Sequence, residues 1–195
     1  ISSDKAAEPV TAYGATKAAA ESEALGQAGL SGASGTEFVA LRYGNVIDSA
    51  GAVLYAFRDA LARQTPMILT HAEMTRFWWT VDQAAEFVQL VASLRGTGQI
   101  WVPKIRAASV CALAQVVWPL GPMREVGLRG IEKLHEVMVS AHEAPKTWEL
   151  DDAYVIAPRE YSTVPVGGRL VPEGFRFSSD TAPQMHPHDL EMMAA

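Results

Sequence analysis

The chain has 195 residues, of which 49% are hydrophobic, so it can bury a sizeable core. Its formal net charge of −6 argues against a general nucleic-acid binder, which would carry a basic surface. No apolar run approaches the roughly 18 residues of a membrane span, and no signal peptide is recognisable. The single Cys111 excludes an internal disulfide, and no Cys/His cluster has zinc-ligand spacing. We therefore predict a cytoplasmic protein without a metal, nucleic-acid or membrane partner.

Helices and short strands alternate along the chain, and this alternation is typical of the α/β class. Helices are indicated by apolar residues at intervals of three and four, and strands by short apolar runs between Gly, Pro or Ser residues. We predict helices over about 11–28, from 53 until Pro66 ends the helix, over 81–95 and over 110–118. We predict a strand end at 1–3, a buried parallel strand at 37–43, strands at 67–69 and 99–102, a short strand at 125–128 and extended chain at 147–156. Loops are expected at 4–10, 30–35 and 44–51, and an irregular tail from 158 onward.

The main chemical signal lies at the start of the chain. Tyr13 and Lys17 are four residues apart, so on a helix both side chains lie on one face, one turn apart. An ammonium group beside a phenol favours the phenolate, and such a tyrosine can accept a proton near neutral pH. Asp4 and Lys5 add an acid/base pair at a predicted strand end, where open α/β sheets place their chemistry. Because Tyr-x-x-x-Lys pairs also occur by chance in helices, the neighbouring motifs decide what this one means.

These residues resemble the active-site segment of the extended short-chain dehydrogenase/reductases. The resemblance covers almost the whole chain through motifs in the same order: residues 2–9, 13–17, 42–46, 74–78, 102–105, 132–138 and 177–179. Within that family the segment is similar to the sugar-nucleotide 4,6-dehydratases that carry lysine in place of glutamate after the aspartate. These are the inverting UDP-N-acetylglucosamine 4,6-dehydratases of pseudaminic acid biosynthesis.

The resemblance implies the carboxy-terminal part of an NAD(P)-binding Rossmann fold with a smaller substrate-binding lobe. Residues 1–65 would form the end of the Rossmann domain with the catalytic helix, and 66–195 the lobe, interleaved with the last Rossmann elements. The sequence shows no Gly-x-Gly-x-x-Gly or Gly-x-x-Gly-x-x-Gly fingerprint between a strand and a helix. We therefore expect the amino-terminal nucleotide-binding half to be absent and the isolated chain to be inactive. The parent enzyme is expected to form a homo-oligomer.

The implied reaction is a lyase reaction: UDP-N-acetylglucosamine loses water and becomes a UDP-4-keto-6-deoxy sugar through transient hydride transfer to NADP. By the resemblance, Tyr13 is the base at the sugar O4, and Lys17 supports it and holds the nicotinamide ribose. Ser3 hydrogen-bonds the C4 oxygen, Asp4 protonates the departing 6-hydroxyl, and Lys5 is the base at C5. The lysine at this position implies inversion at C5.

Two further groups of positions are carried over from the family. Besides Tyr13 and Lys17, the implied cofactor-binding residues are Ile1, Ser2, Val46, Ile47, Asp48, Ser49 and Ala50. Besides the same two residues, the implied substrate-binding residues are Asn45, Val53, Arg129, Ser178, Ser179, Asp180 and Thr181. The sequence departs from the family at Asp48, where a glycine is usual, and this places a negative charge near a phosphate-bearing cofactor. It also departs at Gly130 and Ile131, which replace Pro-Gly, and at Asp180 and Thr181, which replace His and Asn.

For some residues, and for the function itself, the sequence allows more than one interpretation. His135 reads chiefly as a structural hydrogen-bonding histidine rather than an acid/base, and Arg76 either contacts the nucleotide or forms an ion pair at the edge of the core. The charged residues within 132–136 read as a solvated face. The parent protein is a dehydratase, or a 4-epimerase or another member of the same family; the alternative for this chain as it stands is a noncatalytic α/β fragment. Asp4 and Lys5 favour the dehydratase, because a simple epimerase needs no acid/base pair for elimination.

Overall fold

The computed structural model describes residues 1–30, 35–49, 51–94, 96–160 and 162–194. Within these ranges the helices are α1 (Ala12–Leu30), α2 (Val53–Arg63), α3 (Val81–Ser93), α4 (Val110–Val117) and α5 (Pro187–Ala194). The strands are β1 (Val39–Leu41), β2 (Asn45–Val46), β3 (Met67–Leu69), β4 (Thr75–Trp79), β5 (Gln99–Pro103), β6 (Ala107–Ser109), β7 (Met123–Glu125), β8 (Val137–Val139), β9 (Thr147–Glu149), β10 (Ala153–Ile156), β11 (Arg169–Leu170) and β12 (Phe177–Ser178). Single 3-10 turns lie at Asp4–Ala6 and Ala144–Lys146. None of the helices in these ranges combines the length and apolarity that a membrane span requires.

The chain forms two compact units, each assembled from three separated segments. The first unit comprises Ile1–Tyr43, Glu86–Lys104 and Val137–Ser178. The second comprises Gly44–Ala85, Ile105–Glu136 and Ser179–Ala195. The units are therefore interleaved along the sequence, whereas the predicted functional division at residue 65 follows the chain and stays a prediction.

The first unit is built on a five-stranded mixed sheet with strand order β1-β5-β10-β9-β11. β1 pairs with β5 in parallel, which confirms the buried parallel strand predicted for 37–43, although it is shorter; the other neighbours are antiparallel. β5 and β10 are buried along their whole length, as expected for apolar strands covered on both faces. The N–H of Ser2 donates to Leu41 O at 2.6 Å and that of Asp4 to Tyr43 O at 3.0 Å. The start of the chain therefore runs alongside β1 without completing a strand of its own.

The second unit packs α2, α4 and α5 with two small sheets. One sheet has the order β2-β4-β6, with β2 parallel to β4, and the other pairs β3 with β7 in parallel. Its core includes the fully buried side chains of Leu54, Phe57, Met67, Leu113 and Leu190. Burying each of these side chains stabilises the fold by about 1.5–3 kcal/mol. The apolar stripes predicted for the helices near 53 and 110 thus face this core.

The observed elements confirm the α/β class, and the differences from the predicted elements are local. The strand predicted at 125–128 lies at 123–125, and the extended stretch at 147–156 is divided by a turn into β9 and β10. β4, β6 and β8 were not predicted; β2 lies within the predicted loop at 44–51, and β11, β12 and α5 lie within the predicted irregular tail. The sequence signal for α5 was available, because Pro187 stands at its first position and Asp189 in its first turn. Of the predicted loop at 30–35, residues 31–34 lie outside the described residues.

Candidate active site

Tyr13 and Lys17 lie one turn apart near the start of α1. The Nζ of Lys17 is 5.6 Å from the centroid of the Tyr13 ring, and more than half of the Tyr13 side chain is exposed. The hydroxyl of Thr11 accepts the N–H of Gly14 at 3.0 Å, and this cap explains why the helix begins just before Tyr13. The predicted placement of both side chains on one helix face is thereby observed, while their catalytic roles stay predictions.

Asp4 is fully buried in the Asp4–Ala6 turn. One carboxylate oxygen, Oδ1, accepts hydrogen bonds from Ser3 Oγ at 2.8 Å and from Lys5 Nζ at 2.9 Å. The other oxygen, Oδ2, is buried and has no hydrogen-bond partner among the described residues. A buried polar atom without a partner is costly, and a catalytic role is one of the reasons for which proteins retain one. Three predicted catalytic residues are thus held together, and one buried oxygen of Asp4 keeps its capacity to accept a hydrogen bond.

The remaining positions predicted at the start of the chain lie next to this turn in sequence. Ile1 is largely exposed, and Ser2 is buried with its hydroxyl unpartnered within the described part of the chain. Their proposed contact with a cofactor stays a prediction. Tyr43 is half-buried, and its pKa is raised above its ordinary value of 10.0, first by burial and then by the charge of Tyr13.

A buried ion cluster centred on Arg42 was not anticipated. Its guanidinium bonds both carboxylate oxygens of Glu21 on α1, at 2.9 and 2.6 Å, and both oxygens of Glu143, at 3.1 and 2.9 Å. It also donates to the carbonyl of Met138 at 2.9 Å. Burial alone would lower the pKa of Arg42, but the hydrogen bonds and charges of the two carboxylates outweigh it and raise the pKa. Arg42 therefore stays charged and anchors α1, which carries Tyr13 and Lys17.

A cavity of about 360 Å³ lies in the second unit. Four of the predicted site residues line it: Asn45, Val46, Ser49 and Val53. Asn45 Oδ1 is buried and unpartnered within the described ranges, so this amide can still accept a hydrogen bond. The volume falls in the range of small-molecule sites, and both polar and apolar side chains line the cavity.

Two charged residues in the cavity wall add to the predicted set. Arg76 donates to the carbonyls of Thr75, Lys133 and Leu134 at 2.6–3.1 Å, so backbone contacts fix its guanidinium at the wall. Both interpretations of Arg76 keep support. Its Nε lies 3.8 Å from Glu136 Oε1, which is the predicted ion pair, and the side chain also lines the cavity. Glu132 lines the same cavity. The sequence did not indicate that Glu132 lines a cavity, because a charged stretch such as 132–136 usually forms a solvent-exposed surface.

Several carried-over positions lie away from this cavity wall. Ile47 belongs to the apolar core, and Asp48 is exposed with its Oδ1 3.7 Å from Arg58. Arg129 is exposed, and its N–H donates to Glu132 Oε2 at 3.1 Å. Asp180 and Thr181 are also exposed. Ala50 lies outside the described residues.

The two serines of the tail are buried. Ser178 belongs to β12, and Ser179 makes hydrogen bonds that join separate segments of the second unit. Its Oγ contacts Thr75 Oγ1 at 2.7 Å and accepts the N–H of Glu136 at 2.9 Å. Thr75 Oγ1 also contacts His135 Nδ1 at 2.8 Å, so His135 has the structural hydrogen bond expected of it. Glu136, read from the sequence as part of a solvated face, is only 4% exposed because the chain folds back over it here.

Residues 1–158 match the family described as polysaccharide biosynthesis protein. The chain belongs to this family. The resemblance to extended short-chain dehydrogenase/reductases is thereby confirmed, and membership implies a nicotinamide cofactor.

Relatives and a solved structure agree with this assignment. The chain is 34% identical over 195 residues to UDP-N-acetylglucosamine 4,6-dehydratase (inverting) of Campylobacter jejuni, a match that covers 94% of this chain and 58% of that protein. It is 30% identical over 173 residues to UDP-glucose 4-epimerase of Rickettsia rickettsii, covering 87% of this chain and 48% of the relative. The X-ray structure of Pen from Bacillus thuringiensis superimposes with a TM-score of 0.86 at 26% identity, covering 98% of this chain and 60% of that one. The chain thus spans about half to three fifths of the length of these proteins.

Proposed function

We propose that this member of the polysaccharide biosynthesis family is a C5-inverting UDP-N-acetylglucosamine 4,6-dehydratase that works with NADP. The observation that carries the proposal is the Asp4–Ala6 turn, where a buried carboxylate is held by Ser3 and Lys5 on one oxygen only. The 34% identity to the inverting dehydratase of Campylobacter jejuni supports it. A lyase active in the cytoplasm as a homo-oligomer is the corresponding expectation for the whole protein.

The residues of the first unit fit the nicotinamide end of such a cofactor, which when bound supplies reversible hydride acceptance. In the proposed mechanism Tyr13 takes the proton from O4 of the sugar. Lys17 holds the ribose beside it, and the Ser3 hydroxyl bonds the C4 oxygen. Each of these tasks needs a side chain at the surface of α1 or of the adjoining turn, and Tyr13 is exposed as required.

Elimination of water requires an acid at O6 and a base at C5, and we assign these to Asp4 and Lys5. The hydrogen bond of 2.9 Å between Lys5 Nζ and Asp4 Oδ1 is short enough to pass a proton. That transfer converts the ion pair into a neutral amine and a neutral acid. The amine then takes the C5 proton while the acid protonates the departing O6, so the two proton transfers balance. In this account a lysine follows the aspartate because its ammonium group can first transfer a proton to the carboxylate of Asp4.

For the substrate we propose the cavity of the second unit. The amide of Asn45 and the cation of Arg76 suit the diphosphate oxygens of a sugar nucleotide, and Val53 forms an apolar wall. Arg129, Ser178, Ser179, Asp180 and Thr181 remain proposed contacts from the family resemblance. Val46, Ile47, Asp48, Ser49 and Ala50 remain the proposed cofactor-facing loop.

The decisive experiment follows the hydrogen at C5. The whole protein is incubated with UDP-N-acetylglucosamine and NADP⁺ in deuterated water, and the product is read by proton NMR. We expect a 4-keto-6-deoxy sugar with deuterium at C5 and inverted configuration. Retained configuration would remove the inverting assignment, and a product that has lost no water would remove the dehydratase.

A single substitution tests the assigned base. Lys5→Ala is expected to slow elimination by about 10²–10⁴-fold, the usual contribution of general acid–base catalysis, while cofactor binding stays as in the wild type. The exposed Lys146 serves as the control, because Lys146→Ala also removes one ammonium group but lies outside the proposed site. Full activity of Lys5→Ala would exclude Lys5 from the mechanism.

The second candidate is a sugar-nucleotide 4-epimerase. The 30% identity to UDP-glucose 4-epimerase of Rickettsia rickettsii supports this candidate. An epimerase would convert the substrate to its C4 epimer and leave C5 and C6 unchanged. The same NMR experiment separates the two, since only elimination introduces deuterium at C5. The noncatalytic reading concerns the 195-residue chain by itself and predicts that this chain alone gives no turnover.

A further inference from the structure

Gly14 is the place where the two segments that carry the proposed catalytic residues touch. A Cβ built on Gly14 would lie 2.5 Å from the main-chain oxygen of Lys5 and 3.3 Å from Cα and Cβ of Pro9. A carbon and an oxygen cannot approach to 2.5 Å without one of them moving. The obstructing atom belongs to the backbone, so no side-chain rotation can relieve the contact. Only glycine allows the Asp4–Ala6 turn to sit this close to the first turn of α1.

The requirement at Gly14 is one of space and not of backbone conformation. Gly14 has ordinary helical geometry within α1, and its N–H donates to Thr11 Oγ1 at 3.0 Å. Alanine would therefore suit the local backbone and would raise the helix propensity of this position. Any loss in a Gly14→Ala variant must come from the displaced turn.

We propose that Gly14 is a positioning residue that sets the spacing between the acid/base pair, Asp4 and Lys5, and the helix pair, Tyr13 and Lys17. The inference rests on the proposed function, in which the helix pair acts at C4 and the acid/base pair at C5 and C6 of one sugar. Because these atoms are neighbours, both pairs must keep their spacing to within a fraction of an ångström. Displacing the turn leaves the helix pair intact and moves the acid/base pair. Oxidation at C4 then continues, while elimination slows.

The same helix offers a matched control at Gly26. A Cβ built there has nothing within 4 Å among the described residues, so Gly26→Ala adds the same methyl group without a contact. Both substitutions bring the same gain in helix propensity. A difference between the two variants therefore reports the contact with the turn.

The test compares wild type, Gly14→Ala and Gly26→Ala in the whole protein with UDP-N-acetylglucosamine. Three quantities are measured: the rate of water elimination, the absorbance of reduced cofactor during turnover, and the amide hydrogen exchange of residues 3–7. We expect Gly26→Ala to match the wild type in all three. In Gly14→Ala we expect elimination to fall about a hundredfold, reduced cofactor to accumulate, and exchange in 3–7 to become faster.

Each outcome decides the matter. Wild-type elimination in Gly14→Ala, or an equal loss of oxidation and elimination, would overturn the positioning role. If the wild type gives no 4-keto-6-deoxy product, the proposed function fails and the positioning role fails with it, whereas hydrogen exchange still shows whether Gly14 seats the turn. If Gly14→Ala does not fold, the double variant with Pro9→Gly, whose loop yields more easily, carries the same comparison. Recovery of elimination in that folded double variant would count against the proposal.

Discussion

Arg42 uses every N–H of its guanidinium inside the first unit. A buried charge of this kind is tolerated only because Glu21 and Glu143 supply opposite charge and the carbonyl of Met138 accepts the remaining donor. The cluster ties α1, the residue after β1 and the segment after β8 to one another. One side chain therefore holds the helix that carries Tyr13 and Lys17 against the sheet.

We expect Arg42→Met to lower the free energy of unfolding by about 3–5 kcal/mol, because it leaves the carboxylates of Glu21 and Glu143 without their cation. Urea unfolding measures the loss. Arg63→Met is the control, since the exposed pair of Arg63 with Asp59 at 2.9 Å should contribute no more than about 1 kcal/mol. Equal effects of the two substitutions would show that the buried cluster contributes little.

Among the elements, β9 is joined to its surroundings by charge as well as by strand pairing. Glu149 on β9 bonds Arg169 on β11 at 2.8 Å and Lys104, which follows β5, at 2.9 Å. The hydrogen bonds from Arg169 and then Lys104 hold the pKa of Glu149 below its ordinary value of 4.5. Both cations thus favour the ionised carboxylate in the folded state.

The sign of the resulting pH dependence follows from this lowered pKa. The stabilisation by Glu149 is fully present above pH 4.5 and is lost as the pH falls through the lower value of the folded state. We therefore expect the stability of Glu149→Gln to fall less steeply than that of the wild type on acidification below pH 4.5. Thermal unfolding at a series of pH values measures this, with the exposed Glu86→Gln as control. Parallel curves for wild type and Glu149→Gln would contradict the assigned contacts.

At the scale of the whole molecule, each unit has its own buried elements, although its segments are scattered along the chain. The family match spans residues 1–158 and therefore includes segments of both units. The proposed acid/base residues belong to the first unit, whereas the cavity with Asn45 and Val53 belongs to the second. Binding at the cavity can therefore be tested apart from catalysis.

We expect UDP alone to raise the melting temperature of the protein, because a ligand that binds only the folded state stabilises it by about 2.7 kcal/mol at a hundred times its Kd. Val53→Trp should abolish this rise, since the larger side chain fills the cavity. Tyr55→Trp is the control, because Tyr55 is exposed on the same helix. A rise that persists in Val53→Trp would place the nucleotide elsewhere.

Local features of the fold and of the candidate site could be predicted from the sequence. The placement of Tyr13 and Lys17 on one helix face follows from a period of 3.6 residues, and the α/β class follows from the alternation of elements. β4 was missed because its three buried residues, 77–79, are consecutive and show no alternation, and periodicity alone cannot assign so short an apolar run. The adjacent Asp4 and Lys5 were recognisable as an acid/base pair, but the sequence did not show that Ser3 and Lys5 donate to the same oxygen of Asp4.

The sequence by itself determined the family, the helix with its Tyr-x-x-x-Lys pair and the candidate chemistry, because these depend on residue types at short spacing. Only the tertiary structure decided which residues hold that chemistry in place. Arg42 meets Glu143 across 101 positions, and Ser179 meets Thr75 across 104. A Cβ at Gly14 would meet the carbonyl oxygen of Lys5, nine residues earlier in the chain. Such contacts arise from how distant segments pack, and the spacing of residues along the chain does not encode them locally.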